Sequence, residues 1–322
     1  MQQSQKLNRF IGIFFGIFWV SLSTPALAQE QRLNFISEVK GKVEILRAVR
    51  KNYQPAYPGD FLNPADKLRL AQGASVKVVC NNLSVWNPKS KGEFELGKGC
   101  QSTNRTVLIR PGSNTSGTRN GNDSRIPYLI SPRNTAILTQ QPTLSWNPVK
   151  GATGFRVQIS GGEVNWTTNV SQPMVIYSGK SPLKLGVFYD VVITANNGVS
   201  TKDIDDDPTF IVLSDSDIRQ VKTDIAQLQK QPLNNESKNL ALAHLYRSRD
   251  LNADAIDVLE KLVKGGSKTT AVYQLLGSIY QHIGLNLLGK ERYLTALKFA
   301  QTEKNLEAQS TIQASLEEIN KL

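Results

Sequence analysis

Two stretches in the last third of the chain repeat one another and decide the fold of that part. Residues 239–262 read NLALAHLYRSRDLNADAIDVLEKL, and residues 273–296 read YQLLGSIYQHIGLNLLGKERYLTA. Similar residues recur at a constant offset of 34 positions, and apolar residues follow a helical period in both stretches. The matching pairs are Leu242/Leu276, Ala243/Gly277, Tyr246/Tyr280, Ala255/Gly289, Leu259/Tyr293 and Leu262/Ala296. The spacing predicts four helices, over 236–249, 252–264, 269–283 and 286–302.

This repeat resembles the tetratricopeptide family in its period and in its small, aromatic and aliphatic positions. It departs from that family at Asn239, where a bulky residue is expected, and neither repeat ends in proline. In spite of these departures, the resemblance implies tetratricopeptide-type hairpins over 234–322, with an amphipathic capping helix from Leu306 to Leu322. A connecting helix is expected over 214–231, with Ser214 to Asp217 as its N-terminal cap.

The resemblance also implies a concave groove lined by the first helix of each repeat. The groove positions would be His244, Arg247, Gln274, Ser278 and Gln281, whose polar side chains suit a hydrogen-bonded peptide. The Lys and Asn residues with which some members clamp a C-terminal carboxylate are absent, so that ligand is not implied. The alternative is that the repeats only pack against the preceding unit.

A β unit is predicted over 127–213. Its alternating runs include Pro142 to Trp146, Phe155 to Ile159 and Tyr189 to Ala195. This order resembles a fibronectin type III-like or immunoglobulin-like β-sandwich. The resemblance implies that Trp146 lies in the core and that Tyr189 forms a tyrosine corner, its hydroxyl bonded back to the chain.

An earlier all-β domain is predicted over 33–111, because short alternating runs are separated by turn residues and no helical period interrupts them. It contains G-K-V at 41–43, G-D-F-L at 59–62, D-K-L at 66–68 and G-A-S-V-K-V at 73–78. This order resembles the FecR-type domain of exported bacterial proteins. Only the fold and an envelope location are implied; sigma-factor regulation is not expected. Residues 112–126, rich in Gly, Ser, Asn and Thr, are predicted to be a flexible linker.

The first 28 residues predict export. Lys6 and Arg9 precede an apolar run from Phe10 to Leu22, and Ala26-Leu27-Ala28 offers small residues for cleavage. An uncleaved anchor is the alternative, although the run is shorter than the roughly 20 residues of a spanning helix. No transmembrane helix is expected in the mature form. We expect a periplasmic or envelope protein; because the combination of units resembles exported proteins of cyanobacteria, a thylakoid lumen is the second possibility.

Cys80 and Cys100 are the two cysteines, and both fall in the exported part. An even number of cysteines in an oxidising compartment predicts a disulfide. A loop of this length is stabilised by about 3 kcal/mol in the chain-entropy account. Two free buried thiols are the alternative.

The formal net charge is +11 and falls to +9 when Lys6 and Arg9 are removed with the signal peptide. Five basic residues bunch in the first β unit: Lys40, Lys42, Arg47, Arg50 and Lys51. They favour an anionic partner. Because export argues against nucleic acid, an anionic wall polymer or glycan is the expected class; the alternative is a solvated basic surface.

Residues for catalysis are scarce. His244 and His282 are the two histidines, and neither has a cysteine or paired carboxylate at ligand spacing. No phosphate-binding loop or nucleophile elbow is present. We predict no catalytic residue, no cofactor and no metal. Asp203, Asp205, Asp206 and Asp207 form a calcium candidate, for which a solvated acidic loop is the alternative.

Three functions are consistent with the sequence. The first is a non-catalytic envelope scaffold that recruits an unknown protein or peptide through its helical repeats. The second is a protein that binds a wall polymer or glycan through the basic first β unit. The third is an enzyme whose site has no recognised motif.

Overall fold

The computed structural model describes residues 31–101, 108–109, 125–204 and 208–321. The predicted signal peptide, residues 112–124 of the predicted linker, and Asp205, Asp206 and Asp207 of the calcium candidate lie outside the described residues. The described part consists of several β-sheets followed by a run of helices, so the chain is multidomain, with β structure first and α structure second. No helix within these ranges has the length and apolarity needed to cross a membrane.

The first β unit contains two small sheets and a two-stranded pair. Its elements are β1 (Gln31–Arg32), β2 (Phe35–Lys40), β3 (Val43–Leu46), β4 (Gln54–Pro55), β5 (Lys67–Leu70), β6 (Ser75–Val79), β7 (Val85–Trp86), β8 (Gly92–Glu95), helix α1 (Leu96–Gly99) and β9 (Leu108–Ile109). One sheet has the order β2-β6-β7 and the other β4-β3-β5-β8, while β1 pairs with β9. Alternation in the sequence sets the buried face, as in β3, where Val43 and Ile45 point into the core.

The predicted disulfide is confirmed. Cys80 follows β6 and Cys100 follows α1, and their Cα atoms are 5.3 Å apart. Both cysteines are buried in the core of the first β unit. The bond therefore joins the end of α1 to the end of β6.

The second β unit has two sheets that share one core. Its strands are β10 (Leu129–Ser131), β11 (Thr135–Ile137), β12 (Thr143–Trp146), β13 (Phe155–Gly161), β14 (Val164–Val170), β15 (Met174–Ile176), β16 (Phe188–Ala195) and β17 (Thr209–Val212). The sheet orders are β10-β12-β15 and β11-β17-β16-β13-β14, and β11 pairs in parallel with β17. Asp203 lies in a short 3₁₀ turn (Thr201–Ile204), where its carboxylate accepts the backbone N–H of Ser200 at 2.8 Å.

Two aromatic residues are buried as the resemblance to a β-sandwich implied. Trp146 is buried in the shared core and contacts the ring of Phe155 edge-on. Tyr189 is buried as well, and its hydroxyl accepts the backbone N–H of Lys184 at 2.7 Å. The hydroxyl thus ties β16 to the loop that enters it.

Replacing Tyr189 with phenylalanine is expected to lower the free energy of unfolding by about 1–2 kcal/mol, because the N–H of Lys184 loses its acceptor. The phenylalanine ring keeps the contact with Phe210, so packing is preserved. Urea unfolding of both forms measures the difference. An unchanged midpoint would show that solvent replaces the hydroxyl at Lys184.

The helical region follows directly. Its helices are α2 (Asp215–Gln229), α3 (Asn235–Ser248), α4 (Asn252–Lys264), α5 (Thr270–His282), α6 (Asn286–Glu303) and α7 (Leu306–Lys321). Ser214 caps α2 by accepting the N–H of Asp217, and Asn234 caps α3 by accepting the N–H of Ser237. The four helices expected from the 34-residue offset therefore begin and end close to the expected positions.

Small residues at the repeated positions allow α5 and α6 to lie close together. A Cβ atom on Gly289 would lie 3.1 Å from the carbonyl oxygen of Gly277. A Cβ atom on Gly277 would lie 2.9 Å from the ring of Tyr293. The equivalent positions of the α3–α4 pair, Ala243 and Ala255, are fully buried. The offset in the sequence therefore marks helix contacts.

The helices contact both β units. Leu33 and Phe35 of the first unit are buried in the same core as the helices. The Ser237 hydroxyl also donates to the carbonyl of Ser37 at 2.8 Å. From the second unit, Ala136 donates its N–H to the carbonyl of Asp250 at 2.8 Å. Each β unit is therefore joined to the helices by buried contacts.

Candidate ligand cleft

A cavity of about 610 Å³ lies between the first β unit and the first helices of the two repeats. We call it the interdomain cleft. Four of the five predicted groove residues line it, at i, i+3 spacing on α3 and i, i+4 spacing on α5, so each pair lies on one face of its helix. These four are His244, Arg247, Gln274 and Ser278. The facing wall includes Arg47, Arg50, Asp60, Phe61 and Asp66 of the first β unit, and Glu307 and Thr311 of α7 contribute to the rim.

Gln281, the fifth predicted residue, lies outside the cleft. Its side-chain carbonyl accepts the Tyr293 hydroxyl at 3.0 Å, and its amide donates to Glu318 of α7 at 3.1 Å. The capping helix therefore covers this end of the expected groove. The groove is shorter than a bare pair of repeats would give, because α7 occupies one end.

His244 packs against the first β unit instead of facing solvent. Its ring centroid is 4.9 Å from that of Phe35 and 5.0 Å from that of Phe61, and only 4% of the residue is exposed. Burial lowers the pKa of this imidazole to about 3. The ring is therefore neutral at physiological pH and serves as an apolar wall of the cleft.

Arg47 joins three parts of the structure at the edge of the cleft. It donates to the carbonyl of Phe61, to Asp66 at 3.1 Å and to Glu307 of α7 at 3.1 Å. Asp66 is buried, and it also accepts the backbone N–H groups of Ala48 and Asn63. The guanidinium of Arg47 thus fixes the β loop against the last helix.

Several residues of the basic cluster in the first β unit lie beside carboxylates. The Arg47 side chain is only 14% exposed, and Arg50 lies 3.7 Å from the second oxygen of Glu307. Lys42 lies 3.5 Å from Glu44. Much of the positive charge that the sequence concentrates here is therefore matched by carboxylates, one of them 260 residues away from Arg47.

Asp60 is a titratable group on the β wall of the cleft. Burial raises its pKa to about 7, although the N–H of Tyr57, donated at 2.7 Å, and the positive charge of Arg47 favour the carboxylate. The Tyr57 hydroxyl in turn donates to the carbonyl of Glu303, the last residue of α6, at 3.0 Å. This turn therefore contributes to the contact between the β unit and the helices.

Arg247 is the least satisfied charge in the cleft. Only 5% of the residue is exposed, and one of its terminal nitrogens (Nη1) has no hydrogen-bond partner within the described residues. Its ionic neighbour is Asp250, whose oxygen lies 3.5 Å from Nη1. Burial lowers the pKa of this guanidinium. A nearly buried cation that lines a cavity with unused donor capacity is a candidate contact for an anionic ligand.

The sequence did not place the β side of this cleft beside the helices. Arg47 and Arg50 were predicted to belong to a basic surface, and the G-D-F-L run at 59–62 to a FecR-like domain. No local signal links these residues to positions almost two hundred residues later.

A comparison with known protein families finds no family model that matches this chain, and a comparison with curated proteins finds no significant match.

Proposed function

We propose that this protein is a non-catalytic, exported interaction scaffold that binds a segment of a partner protein in the interdomain cleft. The observation that carries the proposal is the cavity of about 610 Å³ lined by His244, Arg247, Gln274 and Ser278. This volume lies within the range of about 300–1,000 Å³ that is usual for ligand sites. In this proposal the helices are tetratricopeptide-type hairpins, preceded by a FecR-like domain and a fibronectin type III-like sandwich.

The lining of the cleft suits a peptide. Phe61 and Leu275 offer apolar surface, whereas Gln274 offers an amide that can pair with a peptide backbone. Apolar walls with a few placed polar groups are typical of binding sites. Export is supported by the signal-peptide pattern of residues 1–28 and by the disulfide in the first β unit.

The titratable groups of the cleft favour binding over catalysis. A histidine with a pKa of about 3 is a poor general acid or base near neutral pH. Asp60 has a pKa of about 7, which is suitable for proton transfer, but the hydrogen bond that its carboxylate makes within the described residues is to the N–H of Tyr57. A hydrolytic site needs in addition a nucleophile within hydrogen-bond reach of such a base.

Binding of a wall polymer through the basic first β unit is less well supported. Arg47 is committed to Asp66 and Glu307, and reversing its charge would separate the β loop from α7. Loss of polymer binding in such a variant would therefore report on domain packing as much as on a polymer site.

Replacing Thr311 with tryptophan is expected to block the cleft and to weaken partner binding about tenfold or more, because a large ring would occupy its rim. Thr311 is exposed, so the core is not disturbed. The measurement is a pull-down from envelope extract with the complete exported protein as bait. The helices are not used alone, since they share a core with the first β unit.

Thr302→Trp is the matched control. Thr302 is also exposed, and its hydroxyl donates to the carbonyl four residues earlier at 3.0 Å, as that of Thr311 does. Thr302 does not line the cleft. A partner retained by the wild type and by Thr302→Trp but lost by Thr311→Trp supports the proposal. Equal retention by both variants, or no partner at all, would contradict it.

A further inference from the structure

Arg247 is part of the wall of the interdomain cleft. It lies on α3, one turn after His244, and both residues line the cavity. Its guanidinium is nearly buried, yet Nη1 makes no hydrogen bond within the described residues. A guanidinium carries five N–H donors in a planar fork that matches a carboxylate. This geometry leaves donor capacity available at the cavity wall.

A buried cation with unused donors is unfavourable unless an anion completes it. The neighbouring Asp250 satisfies Arg247 only in part, because the two groups are 3.5 Å apart and the Asp250 side chain is 40% exposed. Because Arg247 lines the cavity, a ligand in the cleft would approach the donor that Asp250 does not satisfy.

The other charges of the cleft are already matched. Arg47 is bound to Asp66 and Glu307, and Arg50 lies beside Glu307. The remaining carboxyl group, Asp60, has a pKa of about 7 and so is partly protonated at neutral pH. Arg247 is therefore the group in this wall whose charge most needs an external partner.

We propose that the partner segment is acidic, and that the carboxylate of one of its aspartate or glutamate side chains binds the Arg247 guanidinium. This inference rests on the proposed function, because it names the chemistry of the segment that the cleft holds. Gln274 of α5, which also lines the cavity, binds the peptide backbone beside that carboxylate. The cavity is far larger than a simple inorganic anion and includes the apolar side chains of Phe61 and Leu275, which suits a peptide better than phosphate alone.

The test uses two pools of fluorescent pentapeptides that are random at four positions. One pool has glutamate at the centre and the other has glutamine, so the pools differ only in one carboxylate. The wild type is expected to bind the glutamate pool about tenfold more tightly, as a charge-assisted bidentate pair allows. Arg247→Met should abolish this preference, and Arg219→Met, which removes an exposed arginine paired with Asp215, should preserve it.

A stability measurement separates this role from a structural one. Without peptide, Arg247→Met should unfold at the same urea concentration as the wild type or at a higher one, since it removes an incompletely paired buried charge. A clear loss of stability in that variant would assign Arg247 to the packing of α3 and overturn the proposal.

The outcomes distinguish this inference from the proposed function. If both pools bind equally and Thr311→Trp abolishes both, the cleft binds peptides and the acidic preference is wrong. If neither pool binds, or if Thr311→Trp has no effect, both proposals fail. Succinate and inorganic phosphate serve as competitors. Tight binding of either one without binding of the peptides would overturn the peptide assignment in favour of a small anion.

Discussion

Replacing Gly59 with alanine is expected to lower the free energy of unfolding by about 3 kcal/mol. Gly59 has a φ of +96°, a region that favours glycine, and its Cα faces α5 at the contact between the first β unit and the helices. An added Cβ would lie 2.1 Å from the Cβ of Ala271, a distance that forces the two units apart. Backbone strain of about 1–2 kcal/mol adds to an overpacking cost of about 1–3 kcal/mol.

Gly73→Ala separates these two effects. Gly73 has a φ of +77° in the same β unit, but an added Cβ would meet no atom of the described residues within 4 Å. The free energy of unfolding of Gly73→Ala should therefore fall only by the backbone strain, about 1–2 kcal/mol. Urea unfolding followed by tryptophan fluorescence measures both variants. Equal losses at the two positions would show that the loop around Gly59 moves away from α5 without cost, and the cleft would then have no fixed β wall.

Removing the charge of Arg47 is the second large perturbation. Arg47→Met should lower the free energy of unfolding by about 3 kcal/mol, because buried Asp66 loses its cationic partner. The backbone N–H groups of Ala48 and Asn63 still stabilise the Asp66 carboxylate. The expected fall in the free energy of unfolding is therefore at the low end of the range for a broken buried ion pair. The contact with Glu307 of α7 is lost at the same time.

Arg50→Met is the corresponding control. Arg50 is 43% exposed and lies 3.7 Å from Glu307, so its removal should change the free energy of unfolding by less than about 1 kcal/mol. The two variants should also differ in hydrogen exchange: α7 is expected to become less protected in Arg47→Met than in Arg50→Met. Similar stability and protection in both would mean that Arg47 does not join the β loop to α7.

The helices could be predicted because the signal for them is local. The offset of 34 residues places small residues such as Gly277 and Gly289 where α5 and α6 touch, and the same period gave the helix bounds. The disulfide could be predicted from the number of cysteines and the predicted export alone. Predicting these features does not require knowing which residues distant in sequence come into contact.

The cleft could be predicted only on one side. His244, Arg247, Gln274 and Ser278 were assigned to a groove from their repeat positions, but an open groove was expected. The first β unit covers part of it through contacts such as Phe61 with His244, which join residues far apart in sequence. Such pairs carry no periodicity or spacing. The partners of Arg47 could not be predicted either. Its charge predicted an exposed basic surface, whereas in the fold it is bonded to Asp66 and Glu307.

The most direct test of partner binding in the interdomain cleft is site-specific photo-crosslinking in the source cell, with benzoylphenylalanine placed at position 311 or at position 302 of the full-length protein. Residue 311 lies at the rim of the interdomain cleft, and residue 302 is equally exposed but outside it. We expect a discrete adduct with another polypeptide from position 311 and none from position 302. No adduct at 311, or the same adduct at both positions, would contradict the claim that this cleft binds a partner protein.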